Sequence, residues 1–385
     1  MSVGELFMSF KPVYLGFGCH ELHYDDSCRF AQNVYLCTDM AKSLTLAPIT
    51  SERIRYRGGD IAGLQVLKLL CAIMVVQLHV PLLDGEAMQP LCRAAVPVFY
   101  IISGFFILDN SGLIDSGKLT HALCKILKIT AIAVAVYVAY TAWAMPWRYW
   151  SSINLFDFLV LGAVPSGGHL WYLFAYIEAL AVLLMLKRLK AERLIWVIAC
   201  AGMCYNLLFG QYAFVLGMKS LAANYTRTFF GIALPCLAIG IALRRHECRI
   251  APRAIAMMPF AAIALMMLSY AEFYLLKAFV PADCHIGNTT LATVPLAASL
   301  FIIARNASLP RRLCIVAKWG KAHSTNIYLW HIIVRKIEMR LLPALPYEYA
   351  FLVVLPLTLL LSYAINRVTR LCKKSRRPTP GRPSL

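Results

Sequence analysis

The sequence is poor in charge. Only 15% of its 385 residues are charged, and 19 acidic residues stand against 38 basic ones. A soluble domain carries about 25% charged residues, so a water-soluble fold is excluded for most of the chain. Several chemical fingerprints are missing too. There is no G-x-S-x-G elbow, Walker loop, G-x-G-x-x-G or H-E-x-x-H, so nothing points to hydride transfer, a P-loop NTPase or a zincin. No paired C-x-x-C is present, which gives a zinc site no support. Cys71, Cys124, Cys200, Cys204 and Cys236 fall inside apolar runs, where a thiol behaves as a small buried hydrophobe. The first residues lack a basic stretch followed by an apolar core, so no signal peptide is expected. The short alternating segments of a β-barrel are also missing.

What is present is hydrophobic sequence, 60% of the whole. Its runs approach the ~20 residues that a helix needs to cross the hydrocarbon core. The expected class is an all-α, polytopic integral membrane protein with about ten transmembrane helices. The spans are expected near 61–81, 93–109, 124–144, 169–186, 194–210, 228–243, 254–276, 289–304, 323–342 and 349–366. Leu155 to Val164 is too short to span and reads as an interfacial or re-entrant piece. With the N-terminus placed in the cytoplasm, the inner segments hold 29 Lys and Arg and the outer loops hold five, Arg93, Arg148, Lys219, Arg227 and Lys277. That asymmetry predicts both termini inside. It also accounts for the net charge of +19 as topology and anionic lipid contact, with no nucleic acid partner.

Three parts are expected: a cytoplasmic extension over 1–56, a membrane domain over 57–366 and a basic tail over 367–385. The extension holds Cys19, His20 and His23, which could ligate a metal, and Cys28 and Cys37 at a spacing of nine. The plainer alternative is extra sequence ahead of a start near Met40.

Lys68 and His79 lie eleven residues apart in the first apolar run. At about 100° per residue, eleven steps leave ~20° of offset and a rise of ~16 Å. Both polar groups therefore lie on one stripe of one helix. Each is costly inside a membrane, by roughly 2.5–3.5 kcal/mol on insertion scales, and so faces a cavity or a partner. A neutral imidazole can take a proton from a hydroxyl, while Lys68 could hold an anion or a carbonyl oxygen. The bland alternative is headgroup contact for His79 and snorkelling for Lys68. Arg93 precedes Pro97, a proline that frees backbone carbonyls or marks a kink, and Ser103-Gly104 beyond it suits close helix packing. Lys118, Lys125 and Lys128 enter the third helix from inside. They suit either phosphates or positive-inside flanking. His169 and Trp171 open the fourth helix, and Glu178 on the same helix is a candidate partner for Lys68. His331 on the ninth helix serves equally as a core or a functional histidine, and Arg335 with Glu338 suits an ion pair.

In this order, these pieces resemble the membrane-bound acyltransferase 3 family, which O-acetylates cell-surface polysaccharides and related acceptors. That family has a basic residue, ten residues and then His on its first helix, as Lys68 and His79 do. Its second helix resembles Arg93, Val96, Pro97, Phe99, Ser103, Gly104 and Phe105. Lys125 and Lys128 stand where it has a basic pair. His169-Leu-Trp171 and Tyr328-Leu-Trp330-His331 are similar to its later stretches. The departures are lysine for arginine at 68, 125 and 128, which removes the bidentate fork, and Gln65 where an aspartate is common. The resemblance implies no bound cofactor or metal, acyl-CoA (acetyl-CoA by default) as co-substrate, and a glycan or lipid-linked sugar as acceptor. It implies residence in a bacterial inner membrane. His79 would act as base. Lys68 and Arg93 would hold the donor or stabilise developing charge, with Lys118, Lys125, Lys128 and Ser103 binding acyl-CoA. His169, Trp171, Glu178 and His331 would bind the acceptor or support it. Two other readings remain: a transporter or flippase for a lipid-linked or anionic solute, and a haem protein using His79, His169 or His331.

Overall fold

The structure is a computed structural model, and it describes residues 55–56, 60–82, 85–145, 154–279 and 289–375. Cys19, His20, His23, Cys28, Cys37, Met40 and nearly all of the expected 1–56 extension lie outside the described residues. So do Arg148 and the tail beyond Ser375. After a two-residue antiparallel pairing of Arg55–Tyr56 with Asp60–Ile61, the described chain is helical. The helices are α1 (Ala62–His79), α2 (Gly85–Cys92), α3 (Ala95–Phe106), α4 (Ser116–Ala144), α5 (Leu155–Leu159), α6 (Trp171–Arg188) and α7 (Leu194–Asn206). They continue as α8 (Ala223–Thr226), α9 (Leu234–Arg245), α10 (Pro252–Phe279), α11 (Thr293–Asn306), α12 (Cys314–Leu341) and α13 (Ala350–Ser375).

Seven helical stretches among the described residues are long and apolar enough to cross a membrane: Ala62–His79, Ala87–Phe106, Ser116–Ala144, Gly168–Arg188, Leu194–Gln211, Pro252–Phe279 and Tyr347–Cys372. The other three expected segments are also helical. They form a π turn (Phe229–Ala233) running into α9, the 14-residue α11, and α12, whose polar residues lower its hydropathy. Few residues of α4 and α10 are buried, whereas more than half of α1 and of the α2–α3 span are. The exposed apolar flanks of α4 and α10 suit lipid, since a surface this apolar is not left to water. The short run from Leu155 holds only the five-residue α5, most of whose residues are exposed.

Proline chemistry shapes the interior. Pro97 has no N–H for the carbonyl of Arg93, four residues back, and its ring crowds that carbonyl. The span accordingly breaks at Arg93–Ala94, between α2 and α3. Pro235 does the same to Gly231, and the backbone there takes up the π turn that precedes α9. Backbones also touch directly. A Cβ on Gly104 would lie 2.1 Å from the Leu237 carbonyl oxygen, and one on Gly240 would lie 2.2 Å from that of Ile101, so α3 and α9 cross with no side chain between them. Gly63 meets α11 at Ala304 and Gly320 meets α1 at Gln65 in the same way, which fixes α1 between α11 and α12.

The two ends of the bundle differ. At the end reached by the C-termini of α3, α6, α9 and α11, charged residues are stitched together. Glu247 takes Arg244 and Arg305, Glu192 takes Lys187 and Arg245, and both Arg244 and Arg305 lie over Phe105. At the opposite end, where α1 finishes and α3 and α6 begin, the described polar residues include histidines, tyrosines and arginines, with Gln77 and Gln89 among them.

Candidate active site

Three histidines from three helices meet at that second end. His79 closes α1, His169 lies in the single 3₁₀ turn (Gly168–Leu170) that opens α6, and His331 sits in mid-α12. Ring centroids are 5.3 Å apart for His79 and His331, 6.2 Å for His79 and His169, and 5.0 Å for His169 and His331. Their exposure differs sharply. His331 is 0% and His169 is 5% exposed, whereas His79 is open at the surface of the cluster. One imidazole is therefore accessible, and two lie behind it.

The hydrogen bonds fix where the protons of the buried pair sit. His331 Nδ1 lies 3.0 Å from the Ile327 carbonyl oxygen and 2.9 Å from that of Tyr328. Carbonyls only accept, so Nδ1 carries the proton and Nε2 of the neutral ring keeps its lone pair. His169 Nε2 lies 3.2 Å from the Leu329 carbonyl oxygen, so its proton is on Nε2 and Nδ1 is the acceptor. Both acceptor nitrogens, His331 Nε2 and His169 Nδ1, are buried without a hydrogen-bond partner, in rings centred 5.3 and 6.2 Å from that of His79.

Tyrosines hold this arrangement. The Tyr137 hydroxyl donates to Leu329 O at 2.9 Å and accepts from Ile333 N at 3.2 Å, bridging the turn of α12 that carries His331. The Tyr328 hydroxyl donates to the His169 carbonyl, and Tyr100 donates to the Tyr172 carbonyl at 3.0 Å. Each ties one helix to the backbone of another. Their rings run on from the histidines as a contiguous series, with Tyr328 against His169, Tyr172 against Tyr328, and Tyr100 against Tyr172.

The other expected residues fall in several places. Arg93, at the α2–α3 break, and Trp171, at the start of α6, adjoin the histidine end. Ser103 lies about three turns beyond Arg93, on α3, donating to Phe99 O at 2.9 Å. Lys68 shares α1 with His79 but sits three turns away, within 3.4 Å of Gln65 Oε1. The expected Lys68–Glu178 ion pair is not formed. Glu178 is half-buried on α6 with no salt bridge to Lys68. Arg335 and Glu338 do pair, at 3-residue spacing on α12. At the opposite end, Lys118 donates to the Leu108 carbonyl at 2.6 Å. Lys125 and Lys128 are exposed, on the flank of α4 away from its buried stripe of Leu119, Thr130, Ala133 and Tyr137. Among the described residues no group of three or more His, Cys, Asp or Glu side chains is placed to hold a metal ion.

Sequence reasoning passed over two residues of this end. Tyr137 gives no signal in a long apolar helix. Arg227 was only one of the five outer charges, yet its guanidinium lies over the Trp171 ring, 5.6 Å from the centroid.

No curated protein matches the chain, and no solved structure matches it. A family model described as an acyltransferase domain matches residues 61–367, the stretch that begins with α1 and carries every residue of the histidine cluster. The chain belongs to the acyltransferase 3 family.

Proposed function

We propose that this membrane protein is an O-acyltransferase that moves an acyl group, acetyl by default, from cytoplasmic acyl-CoA to a hydroxyl of a cell-surface glycan or lipid-linked sugar. The observation that carries the reading is the accessible His79 ring backed by two buried imidazoles of fixed tautomer. An exposed ring can meet a hydroxyl, and the rings behind it can accept from its N–H and orient it.

The chemistry follows from those positions. His79 takes the proton of the acceptor hydroxyl, and the oxygen attacks the thioester carbonyl. The C–S bond breaks, CoA leaves as thiolate, and the imidazolium returns the proton to sulfur. Arg93 stabilises the negative charge that develops on the carbonyl oxygen. Lys68 and Ser103 lie deeper in the bundle and hold the donor arm, with Lys118, Lys125 and Lys128 offered to the CoA phosphates from inside. His331 and His169 orient His79, and Trp171 forms one wall of the acceptor's approach. Glu178 supports that helix.

In this reading the chain crosses the membrane ten times, both ends are cytoplasmic, and the protein resides in a bacterial inner membrane. The distribution of basic residues supports it. So does the meeting of the end of α1 with the starts of α3 and α6, as alternating crossings require.

The test is acyl transfer by the full chain in proteoliposomes. Radiolabelled acetyl-CoA is given from the cytoplasmic face and envelope glycan from the other. Label in the glycan matched by an equal release of CoA thiol is the expected result. Thiol release without labelled glycan would assign the transfer to another acceptor, and no release would remove the reading.

The role given to His331 makes a separate prediction. His331→Ala should lower turnover about 10- to 100-fold with little change in the KM for acetyl-CoA, because it removes an orienting acceptor and leaves the base. His331→Gln, whose amide can both donate and accept, should recover part of that loss. Equal damage from both variants would mark His331 as a packing residue.

A further inference from the structure

A groove of about 350 Å³ lies between α12 and α13, lined by Val334, Ile337, Glu338, Leu341 and Leu342 with Leu357 of α13. That volume is in the range of small-molecule sites, roughly 300–1,000 Å³. By contrast, the cavity beside Phe105 at the opposite end holds about 20 Å³, room for a single water. The groove is apolar but for Glu338, whose carboxylate is taken up by Arg335. Arg335 in turn lies over the Tyr347 ring, 5.0 Å from its centroid, so the ion pair leaves no lone charge in the lining. Nearer the start of α12 the two helices are clasped. His323 Nδ1 meets the Ser362 hydroxyl at 2.8 Å, and Asn366 Nδ2 donates to Ala322 O at 2.8 Å.

The groove begins beside the histidines. Val334 is three residues past His331, so the two are neighbours on one helix face. Val334 also packs in one buried cluster with Val76 and Val80, and Val80 directly follows His79. From Val334 to Leu342 the groove follows α12 for eight residues, ~12 Å. In the topology proposed above, it runs outward. Arg340 lies over Tyr140 and Trp143, 5.7 and 4.7 Å from their centroids, and aromatic residues of this kind mark the membrane surface. Arg340 stands nine residues beyond His331, ~13 Å along the helix. Direction then decides the occupant. A membrane lipid entering from that surface keeps its headgroup at the aromatic belt and brings only its unreactive methyl end to the histidines. A chain attached to a thioester carbonyl at His79 runs the other way, with its carbonyl at the imidazole and its methyl end outward.

We infer that the groove takes the acyl chain of the donor, and that the preferred acyl group is a chain of about eight to ten carbons, with acetyl the smallest group accepted. An extended chain of ~1.5 Å bonds at ~111° advances ~1.25 Å per carbon, so the ~12 Å of groove matches that length. The inference rests on the functional reading above and deepens it by naming the acyl group. His79 still takes the acceptor's proton, while the chain lies in the groove and holds the carbonyl at the imidazole.

The experiment measures CoA thiol release by the full chain in proteoliposomes, with envelope glycan held constant as acceptor. The donors are acetyl-, butanoyl-, octanoyl-, decanoyl- and palmitoyl-CoA. A fully buried methylene is worth about fourfold. This groove is open on one side, where Ile337, Leu341 and Leu357 are exposed, and half of that free energy gives about twofold per methylene. Six more methylenes should therefore raise kcat/KM for octanoyl-CoA about 60-fold above that for acetyl-CoA. Palmitoyl-CoA should gain nothing over decanoyl-CoA, because its added carbons pass beyond Leu342. Leu357→Trp fills the groove from an exposed position and should lower the octanoyl-to-acetyl ratio about eightfold, the worth of some three methylenes. Ile337→Trp makes the same test from the other wall if Leu357→Trp does not fold. Leu360→Trp, on α13 at a position 64% exposed and outside the groove, should keep the wild-type ratio. A flat profile from acetyl to palmitoyl means that the groove holds membrane lipid only, and overturns the assignment. So does a preference that survives both tryptophans, or one that falls equally in Leu360→Trp. Release that ignores chain length leaves the acyltransferase reading standing, whereas no release from any acyl-CoA removes that reading and the groove's occupant together.

Discussion

Alanine at position 79 is expected to cut acyl transfer by about 10²- to 10⁴-fold, the range a positioned general base contributes. The loss is large because nothing nearby can take over. His331 is fully buried and His169 nearly so. Each commits its N–H to backbone carbonyls of α12, so neither ring can swing out to the acceptor without breaking the turn that holds it. The fold should survive the change, because His79 is the last residue of α1 and its ring is exposed. Donor affinity should survive too, since Lys68 lies three turns deeper, a rise of ~16 Å. The measurement is turnover against acetyl-CoA concentration for wild type and His79→Ala in proteoliposomes, with melting curves as the control. A fall in turnover at constant KM and constant melting temperature places the base at His79. Loss of less than about threefold in a folded variant would remove His79 from the chemistry and leave the family assignment untouched.

The helices were legible in the sequence, whereas the site was legible only in part, and the reason is physical. Apolar runs of membrane length announce themselves locally, and each expected span falls mainly on helix. Pro97 also announced its break, because a missing N–H acts four residues away on the same helix. The Lys68–His79 stripe was correctly read as one face of one helix, but a shared face says nothing of depth. The same eleven-residue spacing that aligns the two groups also separates them by three turns. His169 and His331 each had an ordinary alternative as belt or core residues, and only packing brings them within 5.0 Å of one another. Arg227 was hidden by a competing explanation, since loop arginines are first read as topology. The Lys68–Glu178 pairing failed for the opposite reason. An intramembrane acid and base invite pairing on energetic grounds, but here Lys68 is near Gln65 on its own helix.

Replacing Gly104 should have the largest effect on folding, and here the sequence cue and the geometry agree. Where α3 crosses α9, a Cβ at position 104 would sit 2.1 Å from the Leu237 carbonyl oxygen and 2.9 Å from its carbonyl carbon. These are backbone atoms inside a helix and cannot step aside as a side-chain tip would. Reciprocal contact at Gly240, 2.2 Å from the Ile101 carbonyl oxygen, means the helices cannot roll to relieve one clash without worsening the other. They must separate, losing the dispersion contacts that hold helices together where no hydrophobic force acts between them. Gly104→Ala should therefore cost about 3 kcal/mol or more, at or beyond the usual range for overpacking, and lower the melting temperature in detergent by several degrees. Gly104→Leu should leave no monodisperse protein. Gly168→Ala is the control, because a Cβ there meets nothing within 4 Å, and its melting temperature should stay near wild type. If Gly104→Ala melted with the control, the backbone contact between α3 and α9 would not govern stability. Function would feel the wild-type contact even so, because α3 begins beside Arg93 and carries Ser103. A separation that unfolds nothing would still shift Arg93 and Ser103, so activity in Gly104→Ala should fall before stability is fully lost.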